Sequence, residues 1–419
     1  MKMITKKQIK YMIVVLLGVS GHVQYAMNVL QPYDTLIRMP LTNKHRWQLA
    51  LYAEGGVGQA HSFAEGGRVC SPLALWQPYQ NALTMLQGFN ETTSMSALRN
   101  ELNADNNGTR GHFTVTGELE LDYSVAWCAR ANFLEQFSFG AYLPMMSMRL
   151  HDVCWQDLTG NSTDADVRVR ELLTNQDVFF KKVCELGGPD LGGWKRTGLG
   201  DLVLMLEWFR DFPQPKPLLK NVFINWRLGL NLPTGLRTDE DKLFALPFGY
   251  DGATGLIFGL GLELRLGAYI KCGVDVQLTQ LFDVIRERRI KTDAAQTELL
   301  LLEKTQVHKD FGLVQRFNLD IEALYRGFSC KFGYQYIKQG ESTLSLVSNE
   351  FSDAIANTAE SLQSITMHQL IVNASYDFTK HLSPKAWAVP YVSLYARIPF
   401  NGTRAVEQTM IGTMVGVSF

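Results

Sequence analysis

The sequence predicts an all-β protein, a transmembrane antiparallel up-and-down β-barrel of about twelve strands with short periplasmic turns and long outer loops. Three observations predict this fold. Apolar residues alternate with polar ones in many segments, the connections between these segments alternate between long and short, and both chain ends resemble those of an exported protein. Because a spanning sheet must satisfy all of its backbone groups inside the bilayer, such strands have to close into a barrel.

The N-terminal residues Met1–Ala26 are predicted to be a signal peptide. Lysines at positions 2, 6, 7 and 10 precede an apolar core, Met12–Val19, of about eight residues, which is too short to span a bilayer as a helix. An uncleaved anchor helix is the alternative. Residues 27–45 are then expected to form an N-terminal periplasmic or lumenal segment, and residues 46–419 the barrel.

The first two strands show the alternation most clearly. In Arg46–Glu54, Trp47, Leu49 and Leu51 share one face. In the second, Phe113–Ala131, apolar and polar residues alternate without an apparent phase break, over more than the roughly ten residues that span a bilayer. We therefore expect this second strand to project beyond the membrane.

The remaining strands follow in chain order, each with an apolar and a polar face. The last ends the chain with Val415, Val417 and Phe419 on one face, which is typical of outer-membrane barrels. The predicted strands from the third onward are Phe137–Met148, Asp201–Phe209, Asn221–Leu232, Leu256–Leu266, Ile270–Leu278, Arg316–Tyr325, Phe328–Tyr334, Leu370–Phe378, Trp387–Phe400 and Ile411–Phe419.

Aromatic residues on the apolar faces fall near the predicted periplasmic strand ends, where an interfacial girdle is expected. These residues are Trp47, Trp127, Phe137, Trp208, Tyr325, Phe328, Tyr376 and Phe378.

The polar faces carry both signs of charge and are expected to line the lumen. A wet channel and a network of ion pairs that fills a narrow barrel both fit this pattern. The predicted lumen-lining residues are Glu118, Glu120, Asp122, Arg130, Arg227, Glu263, Arg265, Lys271, Asp275, Arg316, Asp320, Glu322 and Lys331.

Two turns predict which lumen residues face each other across neighbouring strands. A two-residue hairpin turn at Arg326-Gly327 places Glu322 opposite Lys331, with both side chains inward. A three-residue turn at Gly267 is predicted to place Glu263 opposite Lys271. Opposite charges in facing positions stabilise a sheet and favour the lumen assignment.

The cysteines predict one disulfide bond. Cys154 and Cys184 fall in the same long loop, and an exported chain permits disulfides. Six free thiols are the alternative.

The sequence holds little sign of catalysis or of a cofactor. Its histidines are scattered, with no Cys/His metal spacing and no phosphate-binding glycine loop, so we expect no enzyme activity, metal or cofactor. A net charge of −1 gives no indication of a nucleic-acid partner.

One stretch resembles a known family. Gly198-Leu199-Gly200-Asp201-Leu202, followed by a strand, a turn and a strand that closes on Leu230-Asn231-Leu232-Pro233-Thr234-Gly235, resembles the outer-membrane channels of the MetA pathway of phenol degradation, which are similar to long-chain fatty-acid transporters. The resemblance covers roughly forty residues well. It implies uptake of hydrophobic or aromatic small molecules.

We therefore expect a bacterial outer-membrane channel for small solutes, including hydrophobic or aromatic ones. The alternative is a structural or surface-interaction barrel with an ion-paired, plugged lumen. The expected partners are outer-membrane lipid, a small-molecule solute and the barrel-assembly machinery, which would engage the strand that ends at Phe419.

Overall fold

The computed structural model describes residues 30–42, 45–102, 108–173, 176–380 and 387–419. The predicted signal peptide, Met1–Ala26, lies outside the described residues. Within them, twelve long antiparallel strands form a closed barrel, so the predicted fold class is confirmed. The strands are β1 (Trp47–Phe63), β2 (His112–Phe133), β3 (Phe137–Asp157), β4 (Leu202–Pro213), β5 (Leu219–Leu232), β6 (Gly255–Leu266), β7 (Ile270–Leu281), β8 (Val314–Tyr325), β9 (Phe328–Gln339), β10 (Ile365–Asp377), β11 (Val389–Thr403) and β12 (Ala405–Ser418).

The seam of the barrel joins the last strand to the first. Gln48 on β1 pairs with Ser418 on β12, and Trp47 and Phe419 exchange backbone hydrogen bonds of 2.8 and 2.9 Å. On its other edge β1 pairs with β2 from Trp47 to Glu54. Every strand therefore has two neighbours, which leaves no open sheet edge in the membrane.

The outer face of the wall is apolar and exposed. Trp47, Trp127, Tyr325 and Phe328 of the predicted girdle are 44%, 47%, 59% and 47% exposed. The adjacent residues Gln48, Ala126 and Ser329, which point to the opposite face, are buried inside. An apolar outer band around a closed antiparallel barrel is the architecture of bacterial outer-membrane proteins. The chain is thus a barrel of the outer-membrane type.

Among the described helices, none is long and apolar enough to cross a membrane.

The short turns and the two ends of the barrel chain lie at one end of the barrel, which we call the turn end. The long connections fold over the other end as a cap, whose described residues are 64–102, 108–111, 158–173, 176–200, 233–254, 282–313 and 340–364. The cap contains helices α1 (Ser94–Glu101), α2 (Asp164–Leu173), α3 (Gln176–Glu185) and α4 (Asp353–Ala356). It also contains the strands Val69–Cys70, Gln80–Asn81, Trp194–Leu199, Val284–Arg289, Lys304–Phe311 and Ser342–Leu346, of which the last three form a sheet of their own.

The cap has its own hydrophobic core, which continues onto the inner face of the projecting ends of β2 and β3. Leu86, Phe179 and Phe248 of the cap and Leu119 of β2 are each almost fully buried in this core. Burial of large apolar side chains contributes about 1.5–3 kcal/mol each, so the cap is a packed layer over the barrel mouth.

Candidate channel lumen

Most of the predicted lumen residues lie on the inner face of the wall. They alternate with exposed apolar residues, and they contact one another or residues 30–42, an N-terminal segment that lies inside the barrel. The residues on this face are Arg130, Arg227, Glu263, Arg265, Lys271, Asp275, Arg316, Asp320, Glu322 and Lys331.

The prediction was wrong for Glu118, Glu120 and Asp122. The pairing of β2 with β3 shifts between Leu121 and Tyr123, where β2 has one extra residue, and such a bulge exchanges the two faces of the strand. On the cap side of this bulge Leu119 and Leu121 point into the cap core, so the three acidic residues lie on the outer surface.

On that surface the acidic residues pair with cations. Arg149 lies 2.5 Å from Glu120 and 3.0 Å from Asp122, and Lys195 lies 2.8 Å from Asp122. Ligand atoms of Glu118, Glu120 and His151 lie within 4.8 Å of one another. Because Arg149 already binds Glu120 and the group is solvent-accessible, we assign no metal to it.

The predicted register at the Arg326-Gly327 turn is confirmed. Tyr325 pairs with Phe328 and Glu322 with Lys331. The closest ion pairs of these two residues are made with other partners. Lys271 Nζ, directly opposite Glu322 on the neighbouring strand β7, lies 3.4 Å from it, and Lys331 Nζ lies diagonally across from Asp320 at 4.0 Å.

The predicted register at Gly267 was wrong by two residues. The turn occupies residues 267–269, so Leu266 pairs with Ile270 and Lys271 stands opposite Arg265. Both side chains nevertheless lie on the same, inner face of the wall as predicted, and Lys271 Nζ lies diagonally across from Glu263 at 3.1 Å. Lys271 therefore bridges two carboxylates near the turn end.

A buried layer of charges crosses the middle of the lumen. Arg227 Nη2 lies 2.8 and 2.7 Å from the two oxygens of Asp275. Glu207, which is fully buried, lies 3.4 Å from Arg38 and 3.8 Å from Arg130. Such closely paired charges need partners on all sides to offset the cost of removing them from water.

Sequence reasoning missed Glu207 and the buried pair Glu54–Arg397. The signal was present, because Glu207 alternates with the outward Leu206 and Trp208, and Glu54 with Ala53 on the apolar face of β1. A single charged residue at an inward-facing position of an otherwise apolar strand therefore indicates a lumen contact, just as a run of charged residues does.

The described part of the N-terminal segment, residues 30–42, contacts the inner face of the barrel. Asp34 is its polar anchor: it accepts hydrogen bonds from Asn318 Nδ2 at 3.0 Å and Gln335 Nε2 at 2.5 Å, and Arg316 lies 3.6 Å away. Asn373 Nδ2 donates to the carbonyl of Leu36 at 3.0 Å. These contacts come from three neighbouring strands, β8, β9 and β10.

Other contacts fix the rest of this segment. Tyr33 packs edge-on against Tyr142 of β3 with ring centroids 5.6 Å apart, and Leu36 and Ile37 are almost fully buried. The backbone N–H of Met39 donates to Tyr52 Oη at 3.1 Å. The segment thus binds the wall through side chains and does not join the sheet.

Three cavities follow one another along the described lumen. A cavity of about 270 Å³ opens near the turn end and is lined by the charged residues around Lys271 and Lys331. A cavity of about 30 Å³ lies between Tyr33, Tyr142 and Tyr250. A third, of about 150 Å³, lies under the cap beside Asp251 and Val406. The N-terminal segment and the buried charge layer separate the first from the other two.

The residues that carry the family resemblance form one hydrogen-bonded junction. Asp201 accepts from Asn231 Nδ2 at 3.0 Å and from the backbone N–H groups of Gly235 at 3.0 Å and Tyr250 at 2.6 Å. The Thr234 hydroxyl donates to the carbonyl of Gly200 and accepts from the backbone N–H of Leu202, both at 2.9 Å. The junction fixes cap residues 233–254 to the top of β4 and β5.

Replacing Asp201 with alanine is expected to release this part of the cap. Three donors would lose a charged acceptor, a loss of about 3 kcal/mol in local stability. Hydrogen exchange at the Gly235 and Tyr250 amides should become about a hundredfold faster. The matched control is Asp239→Ala in the same cap segment, where the carboxylate makes an exposed pair with Lys242 at 3.5 Å. Unchanged exchange in Asp201→Ala would contradict the junction.

The predicted disulfide is not formed. All six cysteines are free thiols, including Cys154 and Cys184. Cys154 is exposed on β3, whereas Cys184 lies on α3 with its Sγ 3.9 Å from the carbonyl oxygen of Pro189. Sequence reasoning treated the intervening residues as one loop, but β3 continues to Asp157 and two helices follow it.

Comparison with known proteins gives likeness in structure alone. No family model and no curated protein sequence matches the chain. It is similar to the COG4313 outer membrane channel from Pseudomonas putida F1 (12% identity, TM-score 0.46, covering 93% of this chain and all of that one). It is also similar to the Pseudomonas putida toluene transporter TodX (10% identity, TM-score 0.38, covering 95% and 96%) and to the CymD monoaromatic hydrocarbon channel (12% identity, TM-score 0.29, covering 90% and 89%). None of these TM-scores reaches 0.5, so the solute and the state of the lumen have to be argued from this chain's own residues.

Proposed function

We propose that the protein is an outer-membrane channel for small solutes, and that residues 30–42 close its lumen in the state described. One observation carries the proposal: a segment separate from the sheet binds inside a barrel that keeps cavities of about 270 and 150 Å³ on its two sides. A barrel that served structure alone could fill this space with side chains of its own wall. A segment held by side-chain hydrogen bonds can leave without breaking the sheet.

Small hydrophobic or aromatic molecules are the solutes that we propose. The resemblance at Asp201 and at Pro233-Thr234-Gly235 supports this class. The cavity under the cap supports it too, because apolar residues form much of its wall. The turn end would face the periplasm, and the cap the outside.

A structural or surface-interaction barrel is the second candidate function. The buried layer of Arg130, Glu207, Arg227 and Asp275 favours it, since these side chains fill the middle of the lumen. In this case the cap would be the functional surface, and no solute would pass.

Single-channel recording in a planar bilayer separates the two functions. A channel closed by residues 30–42 should give brief, discrete current steps, which become frequent when that segment is loosened. A barrel that gives no steps, either as wild type or after loosening of the segment, would end the channel proposal.

The charged residues near the turn end should set ion selectivity. Glu322→Gln should shift the permeability ratio toward anions and Lys331→Gln toward cations, each by about twofold to fivefold. A local interaction of about 0.5–1 kcal/mol corresponds to this range. Lys195→Gln, whose side chain lies on the outer surface, is the control. If both lumen variants keep the wild-type reversal potential, these charges are structural and not a filter.

We propose two partners for the wall of the barrel. Outer-membrane lipid would contact the exposed apolar band. The barrel-assembly machinery would engage β12 and Phe419 before they close the seam with β1.

A further inference from the structure

The cavity under the cap is bordered by a largely buried cluster of basic and acidic side chains. Asp251 lies 2.6 Å from Arg286 Nη1 and also hydrogen-bonds Arg288, and Glu240 lies 3.3 Å from Arg286 and 3.8 Å from Arg288. Lys309, only 1% exposed, is the third cation beside these two carboxylates. The cluster therefore holds three basic and two acidic side chains, most of which are buried.

Two pKa values in the cluster are shifted by burial and by the neighbouring charges. Burial and the neighbouring Arg288 lower the pKa of Lys309 well below its ordinary value. Burial alone would raise the pKa of Asp251, but Arg288, Lys309 and Arg286 together hold it well below its ordinary range.

One donor of the cluster is also unused. Arg288 is 7% exposed and lines the cavity, and within the described part of the chain its Nε–H has no hydrogen-bond acceptor. A buried donor without an acceptor costs roughly as much as a lost hydrogen bond, so an acceptor in the cavity would be favoured.

Apolar side chains form much of the remaining cavity wall, beside further charged residues that include Arg289, Lys291, Glu298 and Arg404. The volume of the cavity, about 150 Å³, matches that of engineered protein cavities that bind one benzene ring. The apolar residues that line it include Trp76, Leu243, Phe244, Leu299, Leu344 and Leu362.

We propose that this cavity binds a single-ring aromatic carboxylate, with the ring against the apolar wall and the carboxylate facing Arg288 and Lys309. The inference rests on the proposed channel in naming a class of solute, but binding does not require that current flows. It also differs from a site for neutral hydrocarbons, because an uncharged hydrocarbon ring would offer the Arg288 Nε–H no acceptor.

Calorimetric titration of the full chain in detergent micelles tests the site with benzoate and with benzamide, its neutral analogue. We expect saturable binding of benzoate, and binding of benzamide that is about tenfold weaker or more, because hydrogen bonds to charged groups are the stronger ones. Equal affinities would overturn the assignment, as would the absence of saturable benzoate binding. Displacement of benzoate by an equal concentration of inorganic phosphate would show that the apolar wall contributes nothing, and would overturn it too.

Two variants locate the binding. Lys309→Met should weaken benzoate binding about tenfold or more, whereas Lys195→Met on the outer surface should bind like wild type. Ala359→Phe should block the cavity without changing a charge. This variant tests where the ligand binds even if Lys309→Met does not fold. Wild-type affinity in a folded cavity variant would place the ligand elsewhere. Conductance and binding are measured separately, so the failure of one proposal is distinguishable from the failure of the other.

Discussion

Asp34→Asn is expected to raise the open fraction of the channel by about a hundredfold. Asp34 faces only donors: the Leu36 backbone N–H, Asn318 Nδ2, Gln335 Nε2 and Arg316. An asparagine has one acceptor oxygen, so its own amide N–H₂ would face either Gln335 and Arg316 or the other two donors. Loss of charge-assisted bonds and a donor–donor contact should together weaken the docking of residues 30–42 by about 2–3 kcal/mol.

Single-channel recording measures this effect directly as the time spent in the open level. Asp152→Asn is the matched control, because it removes a carboxylate of the same kind whose side chain is 76% exposed on the outer end of β3. If Asp34→Asn opens no more often than Asp152→Asn, residues 30–42 do not gate the lumen. Larger unitary steps in place of more frequent ones would indicate a segment that narrows an already open pore.

The barrel strands could be predicted because their signal is local. The alternation of apolar and polar residues with a period of two is visible in any run of six residues, and the positions that face lipid admit almost no charged side chain. The register at Arg326-Gly327 was equally local. Both residues have positive φ, 48° and 90°, and a two-residue turn of this type permits a single pairing of the flanking strands.

The wrong assignments of lumen residues on β2 came from a bulge, which the alternation of apolar and polar residues conceals. At the upper end of β2, Leu119 and Leu121 continue the apolar parity of Val125 and Trp127, yet the bulge turns the upper pair inward and leaves the lower pair facing lipid. Both a cap core and a lipid face select apolar residues, so composition cannot distinguish them. The β-bulge could be recognised only from the pairing with β3.

The lumen contents could not be predicted for a different reason. Asp34 meets Asn318 and Gln335 from 284 and 301 residues away in the chain, and residues 30–42 have neither helical nor strand periodicity. The cap cavity likewise joins residues of five separate loops. Contacts of this kind depend on closure of the whole barrel, which no local pattern encodes.

Glu207→Gln is expected to destabilise the barrel by about 3–5 kcal/mol, because removal of one partner leaves buried charges uncompensated. Glu207 is fully buried between Arg38 and Arg130, and on the neighbouring strand its pairing partner is Arg227. Asp275 would still pair with Arg227, but Arg38 and Arg130 would lose the carboxylate that they share. The midpoint of urea unfolding in detergent micelles should fall accordingly, with an unchanged slope if the folded state stays compact.

Glu135→Gln, in the exposed turn between β2 and β3, is the control for the loss of a carboxylate. The double variant Glu207→Gln with Arg130→Met should recover part of the loss, since it removes one of the stranded cations along with the anion. Arg38 belongs to the N-terminal segment, so Glu207→Gln should also raise the open fraction, although less than Asp34→Asn does, because Asp34 keeps its contacts. An unfolding midpoint equal to that of Glu135→Gln would mean that Glu207 carries no charge in the folded barrel, and the ion-paired layer would then not be what holds the middle of the lumen together.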